Sequence, residues 1–134
     1  NARYLKGEEL GEPVTFICMD VSFISVTRLL PVFPGLLDSD HPGDVVILVK
    51  PQFEVGRDEV EKRGIIKDRK KHERVIGEIA AFCRELDLVP AGLTRSPITG
   101  SKGNTEYLLH LHWNRPGATL TPMEQQIQAV VYNG

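Results

Sequence analysis

Residues 45–54 read VVILVKPQFE. Five apolar residues follow one another, four of them β-branched, with no polar residue between them. Such a run fits a buried strand of the kind found in parallel sheets. Lys50 ends the run, and Pro51, which has no N–H to give to a ladder, stops the strand there. A cation at a strand exit is ordinarily a solvated end. Its meaning depends on what the neighbouring segments bring beside it.

Upstream, PVTFICM (13–19) reads as a second buried strand and ends at Asp20. Val26, Leu29, Leu30, Phe33 and Leu37 then recur at helical spacing, but Pro31 and Pro34 predict a short or broken helix. The turn residues of SDHPGD close this unit. Downstream, residues 51–68 are charged and contain Gly56 and Gly64, which predicts a long loop with one helical turn. The spacing of Val75, Ile76, Ile79, Ala80, Cys83 and Leu86 predicts a helix over 69–86 with one apolar stripe. LVPAGLTRSPI and EYLLHLHW read as strands joined by the loop ITGSKGN, and so as an antiparallel pair. TPME opens a last helix, with Thr121 as N-cap, Pro122 at its first position and Glu124 completing a capping box. The order strand, helix, strand, loop-helix, strand, strand, helix predicts an α/β fold: a mostly parallel sheet with an antiparallel last strand and helices on both faces.

Length and charge set bounds. The chain has 134 residues, enough for one domain with a core of its own. No apolar run approaches the roughly 20 residues that span a bilayer, and the polar start NARYLKGEEL does not read as a signal peptide. Cys18 and Cys83 are expected to be buried free thiols in a reducing, cytoplasmic setting. Net charge is −2, but residues 57–74 hold eight basic and five acidic side chains. That segment therefore carries +3, and Lys67, Arg69, Lys70 and Lys71 are candidates for contact with RNA phosphates; a solvated helix face is the simpler account.

In open α/β sheets ligands bind beyond the carboxyl ends of the strands. Asp20 and Lys50 both end strands, and an antiparallel last strand would bring its first residue, Glu106, to the same rim. An acid, a base and an acid are thus expected together. His110 and His112 alternate with leucines and share one strand face, but two imidazoles with no acid or cysteine in register make a weak metal site, so no metal is expected. His72, at a helix start among charges, is expected to be solvated. Gly100 and Gly103 lie in no phosphate-binding pattern and are expected to give the loop before Glu106 its flexibility. Phe53 either stacks on a base or caps the core.

MDVSFIS, LVKPQFE and SPITGSKGNTEYLL resemble, in order, the later motifs of the FtsJ-type RNA ribose 2'-O-methyltransferases, and most of all the branch called haemolysin A or TlyA. GRDEVEKRGIIKDRKKHERV resembles that branch's linker into its next helix, and NARYL the stretch before its Asp strand. The likeness runs from about Asn1 to His112. It implies a Rossmann-like fold and an S-adenosylmethionine-dependent enzyme that methylates ribosomal RNA. In the family's Lys-Asp-Lys-Glu tetrad, Asp20 would be the Asp, Lys50 the second Lys and Glu106 the Glu, with Asp20 also facing the cofactor. The first Lys, the Gly-rich turn that holds the methyl donor, and the branch's preceding S4-like domain match nothing in these residues. The resemblance therefore implies that residues 1–134 are the C-terminal half of a methyltransferase domain, inactive by themselves. Cutting such a sheet would expose the strand 14–19 as an edge and invite self-association. A non-catalytic RNA- or protein-interaction domain on the same fold is the alternative, and it differs in not requiring Asp20, Lys50 and Glu106 to converge.

Overall fold

The computed structural model describes residues 14–22, 24–56, 59–61, 64–115 and 122–133. Four strands form one sheet: β1 (Phe16–Met19), β2 (Gly43–Val49), β3 (Leu88–Arg95) and β4 (Tyr107–Trp113), in the spatial order β1-β2-β4-β3. β1 runs parallel to β2, and β4 runs antiparallel to both β2 and β3. Three strands therefore share a direction and the last opposes them, as expected. The run VVILV forms the last five residues of β2, which has a neighbour on each side.

The broken helix after β1 follows from its prolines. Two 3-10 turns, Val26–Arg28 and Leu30–Val32, lead into a single α-turn, α1 (Phe33–Leu36), with Pro31 and Pro34 each in the first turn of its element, where a missing N–H is tolerated. α2 (Pro51–Glu54) is the one helical turn expected in the charged loop, with Pro51 as its first residue. α3 (Arg69–Glu85) begins at Asp68, whose side chain accepts from the Lys70 N–H, and gives way to Asp87 in the left-handed region. α4 (Met123–Asn133) closes the chain; the expected N-cap, Thr121, lies outside the described residues.

Burial alternates strictly along β2. Val45, Ile47 and Val49 are fully buried, while Asp44, Val46 and Leu48 are half-exposed. The buried set joins one core with Leu109 and Leu111 of β4, Val75, Ile76, Ile79 and Cys83 of α3, and Ile127 and Val131 of α4. The described helices thus gather on one face of the sheet. Phe16, 59% exposed, stands on the other face. The strand run was continuous in sequence because both faces are apolar, although the described helices cover only one. No described helix is long and apolar enough to cross a membrane.

Two expectations about single residues are corrected. Cys18 is exposed, since it lies on the edge strand and on the same face as Phe16; Cys83 is buried, and burial pushes its thiol up to about 12. His72 is not solvated but buried: it sits one turn before Val75 and Ile76 on the apolar stripe of α3. Its Nε2 lies 2.7 Å from the Ile66 carbonyl, which can only accept, so Nε2 carries the hydrogen. Nδ1 must then accept from the Tyr107 hydroxyl, 2.7 Å away.

Candidate functional site

The carboxyl ends of β1 and β2 lie side by side because the strands are parallel neighbours in register, with Met19 opposite Ile47. The residues that follow therefore meet. Lys50 Nζ is 2.5 Å from Asp20 Oδ1 and donates to Ser22 Oγ at 2.9 Å. The lysine side chain is 11% exposed and the aspartate 63%, so the ammonium is sunk into the rim while the carboxylate stays open to a ligand.

Glu106 reaches the same edge from the start of β4, as the antiparallel direction demands. It is 6% exposed, and its Oε2 accepts from Gln52 Nε2 at 2.8 Å. Gln52 lies in α2, two residues after Lys50, so this turn ties the third residue to the second. Asp20 and Lys50 touch; Glu106 joins them through Gln52. Gly100 is what lets Glu106 lie there. A Cβ built on Gly100 would stand 1.8 Å from Glu106 Oε2, so the glycine serves close approach, not the flexibility expected of it. Asn104, also buried, fixes the loop by accepting from the Ile66 N–H at 2.9 Å and donating to the Gly64 carbonyl at 2.9 Å.

Ser22, Gln52 and Asn104 escaped the sequence reading. Ser22 and Gln52 lie inside the motifs MDVSFIS and LVKPQFE, and the signal for each was its position two residues from a charged strand end. Asn104 lies inside SPITGSKGNTEYLL, but its role is set by partners about 40 residues away. Glu54, the last residue of VVILVKPQFE, is a further member of the frame. It accepts from Ser25 Oγ at 2.6 Å and from the Val26 N–H at 2.9 Å, which pins the segment after Asp20 to the turn after Lys50. Burial pushes the Glu54 carboxyl above its ordinary value against the pull of these two donors.

Beyond β3, at the same edge, lies a cavity of about 320 Å³ lined by Lys67, Arg69, Arg95, Lys102, His72 and Tyr107, among others. None of its described lining residues is acidic. Two of the four expected RNA contacts, Lys67 and Arg69, therefore line a basic hollow, joined by Arg95 and Lys102, which the sequence reading did not single out. Lys70 is exposed at the start of α3. Lys71 is turned inward, donating to the Glu59 carbonyl at 2.8 Å and lying 3.4 Å from Glu61. Phe53 is half-buried beside Lys50.

The histidine pair of β4 also has a partner the sequence reading lacked. Asp44 stands opposite His112 in the ladder, and its Oδ1 is 2.8 Å from His110 Nε2. An acid is in register after all. It sits in the turn-like string SDHPGD, which disguised it as a loop residue.

Residues 1–113 match the family model described as FtsJ-like methyltransferase. The chain belongs to the FtsJ-like methyltransferase family. Within it, the chain is 46% identical over 118 residues to a Bacillus subtilis protein named "Putative rRNA methyltransferase YqxC". It is 40% identical over 111 residues to the 16S/23S rRNA (cytidine-2'-O)-methyltransferase TlyA of Mycobacterium tuberculosis. These alignments cover 87% and 83% of the chain and 41% of each relative. A solved structure titled "Putative hemolysin from Streptococcus thermophilus" superposes with a TM-score of 0.87 at 36% identity, over 99% of this chain and 47% of that one. The chain thus spans less than half the length of these relatives. The expected family and branch are both found, and so is the fold.

Proposed function

We propose that this chain forms the acceptor side of an S-adenosylmethionine-dependent methyltransferase acting on ribose 2'-hydroxyls of ribosomal RNA. The observation that carries the reading is the contact of Lys50 with Asp20 at 2.5 Å on the carboxyl rim, with Glu106 tied to the same turn. The names of the relatives supply the substrate class. On this reading residues 1–134 are one C-terminal half-domain, and the activity belongs to the protein that carries it.

The chemistry fits the residues. S-adenosylmethionine, when bound, supplies an electrophilic methyl group on a sulfonium. Asp20, open to solvent, is an anionic group of the kind that would face the donor's cationic atoms. A ribose hydroxyl is a poor nucleophile until its proton is taken or its growing charge is met. Lys50 is fixed by Asp20 and Ser22, so its nitrogen needs no reorganisation to meet the hydroxyl. Glu106, held by Gln52 and walled by Gly100, is placed to accept a hydrogen bond from the acceptor ribose. The basic hollow of Lys67, Arg69, Arg95 and Lys102 would hold a neighbouring phosphate, which fixes the nucleotide without reading its base.

The convergence at the rim favours this reading over a non-catalytic interaction domain. The test is transfer of labelled methyl groups to ribosomal RNA by the protein carrying these residues, compared with its Asp20→Ala variant. Loss of transfer with RNA binding retained supports the proposal, and full transfer refutes it. We propose further that the half-domain alone binds the donor weakly and pairs with itself through β1, which is an edge of the sheet. Calorimetric titration with the donor and sedimentation at high concentration test these two points; micromolar binding or a clean monomer would count against them.

A further inference from the structure

The face of the sheet that holds Phe16 carries a second cluster, at the opposite end of the strands from Lys50. We propose that Asp44, His110 and His112 form a binding site for a divalent transition-metal ion of the zinc class. The pleat presents all three side chains on one face: Asp44 and His112 are directly opposite in the β2–β4 ladder, and His110 is two residues back on the same strand. Asp44 Oδ1 lies 2.8 Å from His110 Nε2 and 3.9 Å from His112 Nε2, and the three ligand atoms fall within 4.8 Å of one another. Zinc bonds of about 2.0–2.1 Å at tetrahedral angles hold ligand atoms roughly 3.4 Å apart. The trio straddles that spacing, so small rotations of the side chains admit an ion.

The surroundings suit a ligand set. Arg115 donates to Asp44 Oδ2 at 2.8 Å, which orients the carboxylate and leaves Oδ1 to the metal. Two imidazoles and one carboxylate leave a fourth position for water, the donor set of an open zinc site. Along β2 the trio lies on the order of 20 Å from Lys50, counting about 3.3 Å per residue. The ion would therefore act outside the rim's chemistry, as a clip joining β2 to β4 across 66 residues of sequence.

The test is calorimetric titration of the chain with zinc chloride, alongside Asp44→Asn, the double variant His110→Ala/His112→Ala, and a Cys18→Ser control. The expected result is one zinc per chain in the micromolar range or tighter. Affinity should fall at least tenfold in Asp44→Asn and in the histidine double variant, and stay unchanged in Cys18→Ser. Cobalt(II) bound to the unaltered chain should give visible bands without thiolate charge transfer, a readout that does not depend on a variant folding. No zinc binding, binding that survives the double histidine variant, or thiolate bands in the cobalt spectrum would overturn the proposal.

Discussion

Glu54 closes on Ser25. Its carboxylate takes the Ser25 hydroxyl at 2.6 Å and the Val26 N–H at 2.9 Å, so the two segments that carry Asp20 and Lys50 are bolted together behind the rim. Glu54→Ala removes both bonds and leaves a half-buried N–H without its acceptor. The expected cost is about 1–3 kcal/mol in urea unfolding at pH 7. Burial raises the folded-state carboxyl, so the sign is that of a group more easily protonated when folded: its favourable term is present below about pH 4.3 and is lost as pH rises through the folded value. Glu54→Gln keeps the shape and removes the titration. Its stability should therefore gain on the parent between pH 4 and 7, and a constant difference over that range would contradict the account.

His72 supplies the opposite slope. Burial lowers its folded-state value, so its contribution is intact above about pH 6.5 and is lost as pH falls toward the folded value. Protonation would also reverse the Tyr107 bond, since Nδ1 would then donate to the hydroxyl oxygen. Tyr107→Phe should cost about 1 kcal/mol at neutral pH, and nitrogen chemical shifts of His72 in the parent should report hydrogen on Nε2. Hydrogen on Nδ1 would refute the assigned tautomer.

Gly100→Ala separates the site from the fold. The new methyl group has no room unless the Glu106 carboxylate leaves Gln52, while the backbone at Gly100 needs no left-handed conformation. The melting temperature should move by only a few degrees, and kcat should drop about as far as in Glu106→Ala. A variant with full kcat would show that Glu106 is not needed where it stands.

Much of this was legible in VVILVKPQFE. The apolar run, the lysine and the proline determine the strand, its end and the turn after it, and the same run places Lys50 beside whatever ends the next parallel strand. Asp68 as a helix cap and His72 on the core stripe were open to reading by position, three and seven residues before Val75 and Ile79 in the case of the histidine, but the charges of RKKHER masked them. Gln52 with Glu106, Asn104 with Gly64, and Asp44 with His110 were out of reach. Each pair is 40 to 66 residues apart and meets only once the sheet order brings β4 between β2 and β3.

The basic hollow predicts a salt-dependent loss. Lys67→Ala and Lys102→Ala should each weaken binding to ribosomal RNA without changing its sequence preference. Each should also lower the salt slope by about 0.7–0.9 for every phosphate contact removed. Filter binding across a salt series reads both quantities. An unchanged slope in both variants would move the RNA path elsewhere.

The central claim is that Lys50 acts on the ribose hydroxyl. Single-turnover methyl transfer to ribosomal RNA by the protein carrying this chain, unaltered and with Lys50→Ala, tests it most directly. The predicted result is a rate about 10²–10⁴-fold slower in the variant, with RNA affinity kept. A rate within a few-fold of the unaltered protein would contradict the account.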